Sequence, residues 1–564
     1  VPALSEIRTN EGHRPARWTG PLSAAAIGIC LFGNLGAMGL VGPDEPRYAW
    51  IARAMAETSD WVTPRLYGQP WFEKPVLYYW AAALGFLLHL SAEWAARLPS
   101  ACGALAAALT IAWLAKKHYG GDASSLASPV LLTPLLFSTS VAAIGFARAA
   151  TPDMLFSATI ALAMASAAMV FRRSGALRAA APASSSINRD AWPLVLFGAF
   201  LGLAVLAKGP AAIILAAGAI GFWALATKHW RDAIRLAHPF AIAAFCFVAL
   251  PWYVLCAVRN PEFLKVFLWQ HNFERYLSPI FEHRQPFWYF GPIVLLALLP
   301  WTALLWPAAQ EGVRLWREHS WKNSPGFFFA CWAVFPVLFF SLSQSKLPGY
   351  ILPATPALAL LCAIGAIRAL NWSAAVSATL LLVLFAAWIV LVGAGLHGVH
   401  SLIAEHFWLV DTSGHLTVLR SFPLASLAFV AAIVIAVVFY KRPGIAVPIL
   451  AFCLAVNVEF VSLGELPVLD AFYSARPHAA FMHNDQRPDR IFAYRLSRSW
   501  GWGLAFYFRR ELPEWSPDDP MPALVLTTQD GLERIRKLGR FTGDLEQMQP
   551  GLVYVPIGPV AGAR

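Results

Sequence analysis

Along the chain, apolar runs of about twenty residues alternate with short polar segments, and this alternation dominates every other signal. A helix that crosses a bilayer needs about 20 such residues. The spacing predicts thirteen spans, at 20–41, 93–115, 124–145, 152–171, 191–206, 210–227, 237–258, 287–308, 325–343, 350–368, 373–395, 421–440 and 446–463. The apolar stretch 75–90 is shorter and flanked by charged motifs, which predicts an interfacial or re-entrant helix. From residue 467 the pattern changes. RIFAYRL, ALVLTT and LVYVPI read as strands and DGLERIRKL as a helix. The expected fold class is therefore an all-α polytopic membrane protein over 1–466, with outer loops at 42–92 and 259–286, followed by a small α/β domain over 467–564.

Composition sharpens that class. Of 564 residues, 58% are hydrophobic and only 13% charged, and the mean hydropathy is +0.55, which is a membrane composition and not that of a soluble domain. The net charge of +11 raises nucleic acid as a partner, but no contiguous basic stripe exists to bind it. Instead Lys and Arg collect in alternate short loops: Arg14, Arg17, Lys116, Lys117, Arg172, Arg173, Arg231, Arg235, Arg314 and Arg317 fall on one side. By the positive-inside rule that side is cytoplasmic, which puts the amino terminus inside and the carboxyl terminus outside. The segment before Pro21 is polar and the first span lacks a small-residue cleavage site, so it reads as a retained helix and not a signal peptide. All seven cysteines lie in apolar runs without a C-x-x-C pair, as buried hydrophobes do. The absence of an internal repeat weighs against a transporter built from inverted halves.

Against this background the stretch Gly42–Pro75 stands out, with Asp44, Glu45, Arg47, Tyr48, Arg53, Glu57, Asp60, Arg65, Glu73 and Lys74 just beyond an uncharged span. Charge beside a bilayer is costly unless it is solvated, paired or bound to a ligand. Asp44 and Glu45 precede Pro46, which fits an acidic helix start complementing the helix dipole. They equally fit a carboxylate poised to orient or deprotonate an acceptor hydroxyl. Further polar positions lie at the same predicted face: Arg148 and Asp153 in ARAATPDM, Lys208 in LAKGP, His271 and Arg275 in QHNFERYL, and Lys346 with Tyr350 in SKLPGY. Outer cations in so sparse a setting suit an anionic ligand such as a lipid-linked phosphate, or else snorkelling anchors. No Walker A loop, H-E-x-x-H or Gly-x-Ser-x-Gly element is present.

DEPRYAWIARAM, WVTPRLYG, WFEKPVLYYW, EWAARLPSA, ARAATPDM, LAKGP, QHNFERYL and SQSKLPGYILP, in that order over about residues 20–360, resemble the bacterial aminoarabinose (lipid A) transferase group. That group belongs to the polyprenyl-phosphate-dependent GT-C glycosyltransferases, relatives of the protein O-mannosyltransferases. The resemblance implies a monomeric, metal-binding inner-membrane enzyme with a periplasmic active site. It would move a sugar from undecaprenyl phosphate to an envelope glycolipid such as lipid A, with inversion. It also implies Asp44 as the catalytic carboxylate with Arg47 and Tyr48 as partners and Asp153 as a further polar group. Lys74, Lys208, Arg275, Lys346 and Tyr350 would hold the carrier phosphate, and Glu73 with His271 a divalent metal (Zn, Mg or Mn). Trp71 stands where the group usually has Tyr, and Gly349 where a hydroxylic residue is common. The alternatives are transfer to protein hydroxyls and, in another class, a flippase for a lipid-linked sugar; the gathering of polar residues at one face, not at the bilayer midplane, favours an enzyme.

Overall fold

The structure is a computed structural model that describes residues 19–120, 128–177, 191–267, 285–370, 443–484, 490–519, 521–540, 548–549 and 552–558. The chain opens with α1 (Thr19–Phe32), α2 (Asp44–Thr58), a two-stranded hairpin of β1 (Arg65–Leu66) and β2 (Gln69–Pro70), α3 (Leu77–Leu87) and α4 (Ala92–Tyr119). It continues through α5 (Pro129–Ser138), α6 (Val141–Ala147), α7 (Asp153–Ser174), α8 (Trp192–Lys208), α9 (Ala211–Thr227), the short α10 (Trp230–Ile234) and α11 (Pro239–Arg259). Then come α12 (Phe290–Ala297), α13 (Leu305–Arg317), α14 (Pro325–Ser341), α15 (Thr355–Leu370) and α16 (Pro443–Tyr473). Apart from α2, α10 and the amphipathic α13, the helices are apolar on most faces, as helices buried in a bundle or facing lipid must be. α7 is central, packed between α4 and α8, and its many alanines and serines permit close approach. On the next layer, a β-carbon at Gly198 of α8 would overlap the Ala241 carbonyl of α11, so only glycine lets these two helices meet.

This is a multi-pass membrane protein. Among the described residues five helices are long and apolar enough to cross a bilayer, or seven if each of two bent pairs counts as one span. That is fewer than thirteen, for three reasons. The runs 373–395 and 421–440 lie outside the described residues. Four other runs form shorter apolar helices, α1, α8, α9 and α14, while the separate stretch 75–90 forms the short apolar helix α3. Two runs are bent, α5 to α6 by 61° and Phe290–Ala297 to Trp301–Arg317 by 103°. The second bend turns the expected span 287–308 sideways into α13, which buries Glu311 while exposing Trp306 and Trp316.

α1 also ends at Phe32, well before residue 41. Gly33 is followed by Asn34 in a left-handed conformation, and Arg148 donates to the carbonyls of Ile29 and Cys30, both at 3.1 Å. The Ile29 carbonyl also accepts the Gly33 N–H at 2.9 Å, whereas the Cys30 carbonyl, one of those left over where a helix ends, is met by the Arg148 side chain. Arg148, an outer cation in the sequence, is a helix cap.

Beyond the bundle, α17 (Arg476–Asn484), β3 (Ile491–Ala493), α18 (Arg498–Phe508), β4 (Ala523–Thr527), α19 (Gln529–Lys537), β5 (Met548–Gln549) and β6 (Leu552–Ile557) complete the described chain. The sheet order is β3-β4-β6-β5, with β3 parallel to β4 and the other pairs antiparallel. β4 is buried on both faces, which its unbroken ALVLT run anticipates. α16 runs through Pro467 to Tyr473, so a boundary at 467 falls inside a helix. Pro467 removes one backbone N–H there without ending the helix.

One buried ion pair ties the elements at the loop end of the bundle. Arg97 of α4 donates to Glu45 of α2, Nη2 to Oε2 at 2.7 Å, with side chains 6% and 8% exposed. Arg97 also donates to the carbonyls of Leu35, Met38 and Gly39 at 2.8, 2.6 and 2.7 Å. Glu45 accepts further from the backbone N–H of Val41 at 2.9 Å and of Ala150 at 2.7 Å. Removing one partner of such a pair strands the other charge in a dry site. Arg97→Met is therefore expected to cost about 3–5 kcal/mol, read as a lowered midpoint of thermal unfolding in detergent. An unchanged midpoint would show the tie to be dispensable.

Candidate active site

Asp44 and Glu45 are neighbours with opposite fates. Glu45 turns inward to Arg97, whereas Asp44, at the first turn of α2, is 53% exposed and meets Arg47 one turn on. Arg47 Nη2 donates to Asp44 Oδ1 at 2.5 Å, and Nη1 pairs with Glu73 Oε2 at 2.8 Å. Lys74 donates to the other oxygen of Glu73 at 3.2 Å. The guanidinium of Arg47, only 9% exposed, lies 4.9 Å from the Tyr48 ring centroid, 5.6 Å from Trp71 and 4.8 Å from Trp502. Among the described residues, Arg47 Nε, Trp71 Nε1 and Tyr79 Oη are buried without a hydrogen-bond partner. Buried donors left unpaired carry a desolvation cost that a ligand oxygen would relieve.

The electrostatics follow from this crowding. Burial pushes the Asp44 carboxyl above its ordinary value, Arg47 and Lys74 pull it down, and Glu73 and Asp153 push it up again. For Arg47, burial works to lower the pKa, but Tyr48, Glu73 and Asp44 outweigh it, so the guanidinium stays charged. Burial first, then the negative charge of Glu73 and Asp44, holds the Tyr48 phenol far above its usual range, so Tyr48 stays neutral, and its hydroxyl accepts from Arg47 Nη2 at 3.4 Å.

A second charged pair lies within electrostatic reach of the first. Asp153 opens α7 and Lys208 closes α8, and the ammonium donates to the carboxylate. Lys208 also sits 5.4 Å from the ring centroid of Tyr350 and 5.7 Å from that of Phe156. Lys346 is 6% exposed and donates to the Ser343 carbonyl at 2.5 Å. Gly349 fills the narrow space between these elements: a β-carbon there would sit 2.9 Å from Phe146 and 3.5 Å from an Asp153 oxygen. A hydroxylic side chain would crowd Phe146. Phe146 and Pro348 in turn line a cavity of about 390 Å³ whose other walls include Val141, Ile293, Leu296 and Leu352, almost all apolar.

Of the residues singled out from sequence, the structure thus gathers Asp44, Arg47, Tyr48, Glu73 and Lys74 into one cluster and Asp153, Lys208 and Tyr350 into an adjoining one. Lys346 lies in the same loop as Tyr350, which also carries Gly349. His271 and Arg275 lie outside the described residues. Among the described residues no three His, Cys, Asp or Glu side chains converge as metal ligands would. Glu73 offers a carboxylate to a metal, but Arg47 and Lys74 already face it. Sequence reasoning missed Arg97, Tyr79 and Trp502. Arg97 and Tyr79 lay unread inside quoted motifs; Trp502 lay in an aromatic helix, SRSWGWGLAFYF, over 450 residues from its partner.

A polytopic bundle carrying these clusters is a membrane protein with the GT-C fold. Its backbone superposes on the crystal structure of ArnT from Cupriavidus metallidurans bound to undecaprenyl phosphate with a TM-score of 0.73, over 96% of this chain and 98% of that one, at 23% identity. Residues 18–267 match the family model described as dolichyl-phosphate-mannose-protein mannosyltransferase. The chain is 32% identical over 321 residues to the undecaprenyl phosphate-alpha-4-amino-4-deoxy-L-arabinose arabinosyl transferase of Edwardsiella ictaluri, and 33% identical over 321 residues to that of Erwinia tasmaniensis. Each match covers 57% of this chain and 54% of the relative, so the chain spans about half the length of these relatives. The chain thus resembles the aminoarabinose transferases, as its motifs imply.

Proposed function

We propose that this protein is a bacterial inner-membrane glycosyltransferase that moves a sugar, an aminoarabinose-like pentose or a hexose, from undecaprenyl phosphate to an envelope glycolipid such as lipid A. The observation that carries this reading is the apolar cavity lined by Phe146 and Pro348, on the far side of Phe146 from Gly349, where a β-carbon would sit 3.5 Å from an oxygen of Asp153, the partner of Lys208. Such a cavity suits a polyprenyl chain, and the cations suit its phosphate. The named activity and ligand of the similar proteins support the same reading.

In the reaction the acceptor oxygen forms a bond to the anomeric carbon as the bond from that carbon to the phosphate oxygen breaks. The bonding pair leaves with polyprenyl phosphate. Lys208, Lys346, Lys74 and Arg275 would stabilise the charge that grows on those oxygens, with Tyr350 donating a hydrogen bond. Asp44 would take the proton of an acceptor hydroxyl, or orient an acceptor phosphate that is already ionised. Arg47 and Tyr48 would hold Asp44 and the sugar. A single direct displacement inverts the sugar centre. The positive-inside pattern supports a cytoplasmic amino terminus and a periplasmic site. The match over 18–267 to a protein mannosyltransferase model supports a second reading, transfer to protein hydroxyls; offering lipid and peptide acceptors in parallel separates the two.

Asp44→Asn is expected to lower transfer in reconstituted vesicles by roughly 100- to 10,000-fold while carrier binding persists. Because burial raises the Asp44 pKa, the acid limb of the wild-type profile should lie above the ordinary aspartate range. Below that pKa the carboxylate is protonated and transfer is lost; above it transfer levels off. Unchanged transfer in the variant would overturn the assignment. For the phosphate site, Lys208→Met and Lys346→Met should each weaken binding of undecaprenyl phosphate, measured by native mass spectrometry, by about tenfold or more; equal affinity would remove them from the site. A divalent metal on Glu73 and His271 is a separate proposal. It would add positive charge to the site, and Glu73 would have to release Lys74 or Arg47 to hold it. Bound metal measured by mass spectrometry should be present in wild type and lost in Glu73→Gln; metal-free wild type would refute it.

A further inference from the structure

The C-terminal α/β region lies far in sequence from every motif of the proposed chemistry, yet one of its helices reaches the site. α18 is seated on the start of the chain by four contacts. Arg53 Nη2 donates to the Phe506 carbonyl at 2.9 Å, and its guanidinium lies 4.1 Å from the Phe506 ring centroid. The backbone N–H of Leu40 donates to Tyr507 Oη at 2.8 Å, and that hydroxyl donates to Glu93 Oε1 at 2.8 Å. Trp502 lies one turn before Phe506, so the two share a face. That face turns Trp502 onto Arg47, at 4.8 Å from the guanidinium carbon to the ring centroid.

An aromatic ring is a particular kind of partner for a catalytic cation. Its π-face attracts the guanidinium, most strongly where water is excluded, without adding a formal negative charge. Arg47 is already held by Asp44 and Glu73. A third carboxylate would add negative charge to a site where two already outnumber the guanidinium; a ring fixes its position without adding any. Resting on the transferase reading above, we propose that Trp502 is a positioning residue, through which the C-terminal region holds Arg47 against Asp44 and so completes the active site. The region is then part of the enzyme's working machinery and not an appended module.

Several groups face the Asp44–Arg47 pair. Glu73 and Lys74 come from the loop before α3, Tyr48 from α2, Tyr79 from α3, and Asp153 from α7 with Lys208 of α8 upon it. Of these, Arg47 exerts the strongest downward pull on the Asp44 pKa. A loosened Arg47 lets that pKa rise, which moves the acid limb of transfer to higher pH. Substitution at Trp502 therefore has a signature that mere destabilisation lacks.

The test uses the full-length protein in lipid vesicles, with Trp502→Ala, Trp502→Leu and Trp502→Phe beside wild type. Leucine keeps apolar bulk without a π-face, and phenylalanine keeps the ring. Ala and Leu are expected to lower kcat about tenfold, to leave KM for the lipid-linked donor largely unchanged, and to shift the acid limb upward; Phe should restore most of the rate and the wild-type limb. A second readout needs no turnover: phenylglyoxal modification of Arg47, followed by peptide mass spectrometry, should accelerate in Ala and Leu but not in Phe. Wild-type labelling and an unmoved acid limb in Trp502→Leu would overturn the proposal, and Leu decides even if Ala fails to fold. If wild type transfers no sugar from any donor, the transferase reading fails, while the labelling rates still decide whether Trp502 positions Arg47.

Discussion

The structure depends on the rule that a charge at the edge of a bilayer must be met by an opposite charge or by several hydrogen bonds. The Glu45–Arg97 pair obeys it most fully. Three carbonyls of the 33–43 segment converge on Arg97, and backbone N–H groups from Val41 and Ala150 converge on Glu45. One ion pair thus locks the exit of α1, the start of α2, the body of α4 and the turn before α7. Because Glu45 is consumed in this way, its neighbour Asp44 is presented outward at a fixed place. The half-open carboxylate is rigid because the closed one is spent on structure.

The same rule explains what was legible in the sequence. Apolar runs announced the helices, and Asp44, Arg47, Glu73, Lys74, Asp153 and Lys208 announced themselves as charges that a membrane protein would not carry idly. The strands β4 and β6 and helix α19 were legible because ALVLT, LVYVPI and the amphipathic QDGLERIRK have distinct periods. What stayed hidden were relations between distant positions. Nothing local distinguishes Glu45 from Asp44, since only the arrival of Arg97 assigns their roles. Nothing in α1 foretells that Arg148 will cap it at Phe32. The lateral turn into α13 was hidden because apolar content alone cannot tell a spanning run from one that breaks and lies along a boundary. Its amphipathic LWPAAQEGVRLWR was the available signal.

The two outward pairs, Arg47 with Asp44 and Glu73, and Lys208 with Asp153, share a design. Each cation rests against a carboxylate in a crowded site, which lowers the cost of holding it there before a ligand arrives. A phosphate can then draw the ammonium of Lys208 from Asp153 with little net change in charge–charge energy, so the exchange costs less than stripping a hydrated lysine would. Asp153, no longer neutralised by its lysine, would then press more strongly on Asp44, whose proton affinity it already raises. In the proposed transferase, carrier binding at Lys208 would in this way favour proton uptake by Asp44. That coupling needs Arg47 to stay in place while its neighbours change partners. A neutral ring from another part of the chain is suited to this, because a π-face keeps its attraction for the guanidinium whatever the ionisation of the carboxylates around it.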